Sequence, residues 1–195
     1  MGVMVGDALA ARLERDPHPM TRPGDRHASV VALLIEAPEP SILFTERAAG
    51  LSRHAGELSF PGGLQEPQDA SPADTAARET FEEIGLDPVV YRLLGALSPV
   101  HTFVSGILVT PFVGLIGSLP ELTVSDAEIA RVLTVPIPLL VAAEEERELH
   151  RDGGRSWKGW WYEVEGVTVW GATAFMLHEL LAVLSEEAPW LTKRS

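Results

Sequence analysis

The sequence predicts a single α/β or α+β sandwich built on a mixed β-sheet. Short apolar, β-branched runs occur alongside amphipathic helical segments, and the two do not follow a regular βαβ order. No internal repeat or low-complexity linker interrupts the chain. With 195 residues, 46% of them hydrophobic, the chain can fill one core.

Composition narrows the classes of partner. The formal net charge of −13 disfavours binding to nucleic acid, which requires a basic face. The chain has no cysteine, which excludes disulfides, thiolate catalysis and cysteine zinc sites and favours a cytoplasmic location. Residues 1–28 are too polar for a signal peptide or a membrane anchor, and they predict a helix followed by a loop. The sequence leaves the oligomeric state open.

A hairpin and a loop are predicted first. Ala28–Ile35 is a continuous apolar run typical of a buried strand, and Ser41–Thr45 predicts its partner. Turn residues between the two runs favour a hairpin. The polar, glycine-punctuated segment Arg47–Gly63 then predicts a long loop.

The next element is a helix from Ser71 to Ile84, with Ser71 as its N-cap, Pro72 in its first turn and Gly85 directly after it. Helical geometry separates an apolar face from an acidic one. The expected apolar face consists of Ala73, Ala77, Thr80, Phe81 and Ile84. The acidic face consists of Glu79, Glu82 and Glu83.

An acidic helix face is usually only a solvated surface. Two features favour a metal site instead. The carboxylates lie near the negative end of the helix dipole, where a cation would compensate their repulsion. In addition, the preceding Gly62-Gly63 backbone can offer carbonyl oxygens. Hard oxygen ligands of this kind suit Mg²⁺ or Mn²⁺.

Further strands and helices are predicted downstream. The uncharged stretch Leu93–Pro120 has the length of a membrane span, about 20 residues or more. Its prolines, glycines and β-branched runs favour two core strands around Pro111 instead, so no membrane partner is expected. The predicted strands are Tyr91–Leu97, Gly106–Leu115 and Trp160–Trp170, and the predicted helices are Asp126–Arg131, Pro136–Ala142 and Thr173–Leu184.

The helix carries a resemblance to a known family. Gly63 and the run Arg78–Leu86 (RETFEEIGL) resemble the two ends of the Nudix box, G-x5-E-x7-R-E-U-x-E-E-x-G-U, in which U is apolar. The middle departs from the pattern. Asp69 stands where the first glutamate is expected, one extra residue precedes Arg78, and Thr80 replaces an apolar residue.

The upstream loop resembles one subgroup of that family, the coenzyme A pyrophosphatases. The residues concerned are Leu43–Ala48 (LFTERA), Leu51, Arg53, His54, Gly56, Glu57 and Phe60–Gly63 (FPGG). The resemblance implies a Nudix-type α/β/α sandwich around a mixed β-sheet over residues 28–185. Residues 1–27 would then be an N-terminal decoration and residues 186–195 a C-terminal tail.

The resemblance also implies a reaction. Coenzyme A or a derivative would be hydrolysed at its pyrophosphate bond to 4′-phosphopantetheine, or its acyl form, and 3′,5′-ADP. The expected ligands of Mg²⁺ or Mn²⁺ are Glu79, Glu82, Glu83 and the Gly63 carbonyl, and Arg78 would orient a glutamate. The general base stays open among Glu82, Glu57 and Glu128. Expected contacts to the substrate are Arg47, Arg53, His54 and Phe60.

The sequence also allows other contacts for the predicted substrate-binding arginines and other functions for the domain. Arg47 or Arg53 could instead form a surface ion pair with Glu46 or Glu57. The substrate could be ADP-ribose, NADH or a dinucleoside polyphosphate, and Nudix-like domains also serve as non-catalytic nucleotide binders or as isomerases. The three helix glutamates argue for catalysis, and the Arg47–Gly63 segment argues for coenzyme A. Phosphate-loop, Rossmann, zinc-protease and serine-hydrolase motifs are all absent from the sequence.

Overall fold

A computed structural model describes residues 2–17, 21–22, 24–48, 58–102, 106–151, 155–164, 166–190 and 192. The helices in these ranges are Gly2–Arg12 (α1), Pro72–Ile84 (α2), Ile137–Ala143 (α3) and Gly171–Glu187 (α4). The strands are Arg26–Ala37 (β1), Ser41–Arg47 (β2), Leu58–Ser59 (β3), Gly62–Leu64 (β4), Arg92–Ala96 (β5), Val100–His101 (β6), Ile107–Ser118 (β7), Ile129–Pro136 (β8), Glu144–Arg151 (β9), Arg155–Val164 (β10) and Val167–Val169 (β11).

Eight of the described strands form one mixed sheet. Its main path runs β3-β2-β1-β7-β5, while β4 pairs with β1, β6 with β7 and β8 with β2. The long strands β1 and β7 run parallel, and the other described pairs are antiparallel. A separate three-stranded sheet has the order β11-β10-β9. The predicted hairpin is confirmed, since β1 and β2 pair with Leu34 opposite Ile42.

Helices cover both faces of the main sheet. Alternate side chains of β1 enter two different cores, as the period of a strand requires: Val30, Ala32 and Leu34 enter one, and Val31, Leu33 and Ile35 the other. Helix α2 packs in the second core. Helices α1 and α4 and the smaller sheet contribute to the first, where α1 buries Leu9 and Leu13 follows it into the same core. This arrangement confirms the predicted α/β/α sandwich around a mixed sheet. No helix among the described residues is long and apolar enough to cross a membrane.

Three element predictions are wrong. The predicted loop Arg47–Gly63 begins with the last residue of β2, and its described residues include β3 and the first two residues of β4. The predicted strand Gly106–Leu115 is confirmed as part of β7, and Pro111 lies within it, where the antiparallel partner changes from β6 to β5. A proline lacks the N–H of a continuous ladder, and such a change of partner tolerates it. Residues Asp126–Arg131 form no helix, because a turn at 126–128 leads into β8, which pairs with β2. The predicted strand Trp160–Trp170 is the end of β10 and the whole of β11, joined through a turn at Gly166, where φ is +80°.

The ends of α2 are as predicted, but its buried face differs. Ser71 Oγ accepts a hydrogen bond from the Asp74 N–H at 3.2 Å, and Gly85 ends the helix with φ at +69°. Phe81, expected to pack, is 53% exposed, whereas Glu83, expected on the exposed face, is only 3% exposed. The cause is tertiary: α2 contacts both β1 and β4, so a second side of the helix is covered as well.

Candidate active site

The Glu83 side chain of α2 is a buried carboxylate that lies against the start of strand β4. Its Oε2 accepts a hydrogen bond from the Gly62 N–H at 3.1 Å. Burial raises the pKa of Glu83 to about 7, although the Gly62 hydrogen bond and the charge of Arg47 both lower it. Glu79 and Glu128 raise the same pKa further. A group in this state binds a proton or a cation near neutral pH, because either neutralises a charge that water does not reach.

Arg78 holds the acidic face together. It donates five hydrogen bonds within the described part of the chain, two of them to Asp69 at 2.9 Å each and one to the Leu64 carbonyl at 3.0 Å. Its Nη1 donates to Glu79 at 3.0 Å and to Glu82 at 2.9 Å. Arg78 therefore pairs with both Glu79 and Glu82.

Asp69 explains the departure from the Nudix box. Both its oxygens accept from Arg78, and this pairing holds the pKa of Asp69 well below its usual range. The same pair raises the pKa of Arg78. Asp69 also accepts from the Thr75 hydroxyl at 3.0 Å. The shorter carboxylate thus serves as the anchor of Arg78, a bidentate partner that fixes the guanidinium in one plane.

The two glycines of β4 allow a close approach to α2. A Cβ on Gly63 would overlap the Glu79 carboxylate, since it would lie 2.6 Å from Oε1 and closer to the other carboxylate atoms. Gly62 has φ at +148°, and a Cβ there would lie 2.5 Å from the Val30 Cα. Burial raises the pKa of Glu79, while its hydrogen bond to Arg78 lowers it. Only glycines fit between the central strand and the carboxylates.

The donor set suits a hard divalent cation. Glu79, Glu83 and Glu128 lie close enough that the negative charge of Glu128 raises the pKa of both helix glutamates. A divalent ion would relieve this repulsion, and carboxylate and carbonyl oxygens are the ligands it prefers. Among the described residues, no three acidic or histidine side chains converge as they stand. The described hydrogen bonds of Glu79 and Glu83 each use one carboxylate oxygen, so the other oxygen of each could bind an ion once the side chains converge.

The structure brings some of the other predicted residues to this site. Arg47, at the end of β2, is half-buried, and its charge acts on Glu83. Glu128 is exposed in the turn before β8, and its carbonyl accepts from the Ala48 N–H at 2.9 Å. Glu82 is 57% exposed on the outer side of the Arg78 guanidinium. Glu46, the alternative partner considered for Arg47, pairs with Arg131 on β8.

Phe60 does not join this group. Phe60 is 1% exposed and stacks on Phe44 with the ring centroids 5.2 Å apart. It therefore packs the core beneath the glycine strand, and no surface remains for the expected substrate contact. Arg53, His54 and Glu57 lie outside the described residues.

Two contacts were not anticipated from the sequence. One is the Gly62 N–H that holds Glu83, and the other is the Leu64 carbonyl that holds Arg78. The FPGG sequence offered a signal for the first, because adjacent glycines permit a backbone N–H to approach a buried side chain. A backbone carbonyl 14 residues before its partner has no comparable signal.

Comparisons with known proteins identify the family of this chain. A family model described as the NUDIX domain matches residues 25–167. The chain is 36% identical over 166 residues to an uncharacterized Nudix hydrolase, NudL, of Cronobacter sakazakii, covering 83% of this chain and 84% of that one. It is also 36% identical over 168 residues to NudL of Photorhabdus laumondii, covering 84% and 89%.

Solved structures agree on the fold. A MutT/nudix family protein from Enterococcus faecalis has a TM-score of 0.57 at 16% identity, covering 88% of this chain and 66% of that one. A NUDIX hydrolase from Alicyclobacillus acidocaldarius has a TM-score of 0.50 at 20% identity, covering 63% and 83%. Likeness at these identities concerns the fold alone. The matched family model and the NudL relatives show that this chain belongs to the Nudix hydrolase family.

Proposed function

We propose that this Nudix pyrophosphohydrolase cleaves coenzyme A, or an acyl derivative of it, to 4′-phosphopantetheine, or its acyl form, and 3′,5′-ADP. The observation that carries the proposal is the contact between the FPGG segment and α2. Gly62 binds the Glu83 carboxylate, and Gly63 lies against Glu79. The segment that resembles coenzyme A pyrophosphatases thus forms one wall of the carboxylate site. Substrate choice and catalysis would then depend on the same few residues.

Hydrolysis of a phosphoanhydride requires neutralised phosphates, a positioned water and an acceptor for its proton. A bound Mg²⁺ or Mn²⁺, the ions that Nudix hydrolases generally use, supplies charge neutralisation and a more acidic water. In this chain Glu79, Glu83 and the Gly63 carbonyl would hold the ion, with Glu82 at its outer side. Arg78 keeps two of these carboxylates oriented through its hydrogen bonds.

Arg47 is the described cation best placed for the substrate phosphates. It lies on β2 near Glu83, and the other arginine close by, Arg131, is already paired with Glu46. A guanidinium that is not held by a carboxylate can bind phosphate oxygens in a bidentate manner. Arg53 and His54 remain proposed contacts on the strength of the sequence motif.

Glu128 is the described carboxylate that best suits the role of general base. Glu82 accepts a hydrogen bond from Arg78 Nη1, which occupies one of its two carboxylate oxygens. Glu128 is exposed, and its charge acts on both Glu79 and Glu83. It is therefore near the proposed ion yet outside the Arg78 network. Glu57 stays a candidate on sequence grounds.

The test is product analysis with a substrate panel. Purified protein is incubated with Mg²⁺ or Mn²⁺ and with coenzyme A, acetyl coenzyme A, ADP-ribose, NADH or diadenosine tetraphosphate. We expect 3′,5′-ADP from the two coenzyme A compounds and no product after chelation. Preferential cleavage of another compound would overturn the coenzyme A assignment. An intact panel would overturn the assigned reaction and favour a nucleotide-binding role.

A matched pair of arginine variants tests the phosphate contact. Arg47→Gln is expected to raise the KM for coenzyme A by about tenfold, because one charge-assisted contact is lost. Arg131→Gln removes a neighbouring guanidinium that is exposed and bound to Glu46, so it should leave KM unchanged. Equal effects of the two substitutions would exclude a specific role for Arg47.

A further inference from the structure

A cavity lies beside the first turn of α2, away from the glutamates of that helix. It has a volume of about 440 Å³ and is bounded by α1, the segment after α1, β5 and the first turn of α2. Ala73, in its wall, precedes Glu79 by six residues and Glu83 by ten, which corresponds to about 9 and 15 Å along the helix axis. Its volume falls in the range of small-molecule sites. We call this cavity the arginine pocket; its charged wall consists of Arg15, Arg92 and Asp7.

The charge of the arginine pocket opposes that of the chain. Arg92 Nη1 donates to Asp7 Oδ1 at 3.0 Å, which pairs one of the two guanidinium groups. Arg15 is exposed and makes no hydrogen bond or ion pair with the part of the chain that the structure describes. The two arginines and one aspartate that line the pocket give it a formal charge of +1 in a protein whose formal net charge is −13. Such a local excess attracts a small anion in spite of the overall field.

The backbone fixes the two walls that carry the arginines. Glu14 and Ala96 exchange two hydrogen bonds, of 3.0 and 2.7 Å, which attach the segment before Arg15 to β5. Gly95 has φ at +151°, and a Cβ there would lie 2.7 Å from the Leu13 Cβ, so this attachment is a close one. The Arg92 guanidinium packs against Gly6 of α1, where a Cβ would lie 2.9 Å from its Cζ.

The remaining wall is apolar. The partly exposed side chains of Leu93 and Ala73 line it, so the cavity offers a small hydrophobic floor beside the guanidinium groups. A phosphate or carboxylate alone would leave this floor wet. A ligand that joins an oxyanion to an apolar body matches both parts, since guanidinium binds planar oxyanions and the floor gains from excluding water.

We propose that the arginine pocket binds a small amphipathic anion, with a carboxylate or phosphate at Arg15 and Arg92 and an apolar body against Leu93 and Ala73. This site is separate from the hydrolytic one and does not depend on the proposed substrate. Its occupant would contact α1, β5 and α2 together.

Isothermal titration calorimetry of the full chain in the presence of EDTA tests the proposal. The probes are 4-phenylbutyrate for a carboxylate, phenyl phosphate for a phosphate and 4-phenylbutan-1-ol as the neutral counterpart. We expect at least one anion to bind, and the alcohol to bind at least about tenfold more weakly. Comparison of the two anions identifies the preferred oxyanion.

Three variants locate the binding. Arg15→Gln should weaken binding of the anion about tenfold, and it breaks no contact that the structure describes. Arg12→Gln, three residues earlier, removes only exposed ion pairs to Glu186 and Glu187 and should not change the affinity. Glu83→Gln should also leave it unchanged, because the hydrolytic site is elsewhere. The proposal is overturned if neither anion binds, if the alcohol binds equally well, if Arg15→Gln has no effect, or if Glu83→Gln abolishes binding.

Discussion

A single methyl group at Gly63 is expected to inactivate the enzyme without unfolding it. A Cβ there would lie 2.6 Å from Glu79 Oε1, against 3.4–4 Å for an ordinary contact, so the carboxylate must recede by about 1 Å. The obstacle is the end of a side chain and not backbone, so we expect a stability cost of about 1 kcal/mol or less. A displacement of about 1 Å at a catalytic group reduces turnover by about 100-fold. We therefore expect Gly63→Ala to lower kcat by about that factor.

Gly62→Ala is the matched comparison, because its largest effect should be on stability. Its φ of +148° favours glycine, and the added Cβ would meet backbone at the Val30 Cα, 2.5 Å away. Strain and overpacking together should cost about 2–6 kcal/mol. Urea unfolding measures stability, and kcat at several Mg²⁺ concentrations measures the site. A Gly63→Ala enzyme with the kcat and Mg²⁺ dependence of the wild type would refute the placement of Glu79 in the site.

Three further predictions concern the same helix. Arg78→Lys keeps the charge but loses the paired donors, so kcat should fall about tenfold or more. The free energy of unfolding in urea should change less than for Gly62→Ala. An unchanged kcat would contradict the orienting role of Arg78. In the metal-free protein, burial raises the pKa of Glu83 from 4.5 to about 7, so the folded state holds the proton more tightly than the unfolded state. The stabilisation that protonated Glu83 gives the folded state is complete below pH 4.5 and should decrease by about 3 kcal/mol as the pH rises to 7. Urea unfolding at several pH values measures this decrease, which Glu83→Gln should lack. Parallel pH profiles of the two proteins would count against the burial of Glu83 as the cause. Ser71→Ala removes the N-cap and should lower the free energy of unfolding by about 1 kcal/mol. Ser185 is exposed on α4, so Ser185→Ala should leave this free energy unchanged. Equal unfolding midpoints of the two variants would argue against the cap.

Local signals predicted the framework of the fold. The cap residues Ser71 and Gly85 lie where the sequence placed them, because capping depends on neighbours within about four residues. The β1–β2 hairpin follows likewise from two apolar runs and a short turn. The polar stretch before β8 was misread as a helix, because its pairing with β2 joins residues that are far apart in the sequence, such as Glu46 and Arg131. Such a pairing has no local sequence signal.

The sequence predicted which residues form the site better than it predicted how these residues are arranged in space. The motif identified Arg78, Glu79, Glu82 and Glu83, but a helical projection treats the glutamates alike. The structure buries Glu83 against Gly62 and leaves Glu82 exposed, since only one side of the acidic face is covered by β4. Periodicity describes a helix alone, and the contact that separates these glutamates comes from a different strand.

The catalytic role of the α2 carboxylates is tested by comparing the wild type with Glu83→Gln in one assay. Both proteins are incubated with coenzyme A and Mg²⁺, and 3′,5′-ADP is quantified by liquid chromatography after circular dichroism has shown that both are folded. We expect 3′,5′-ADP from the wild type and its loss in the variant, because the substituted amide retains the volume of the side chain but not its charge. Equal release of 3′,5′-ADP by the folded variant would contradict the assignment of the α2 carboxylates as the catalytic site.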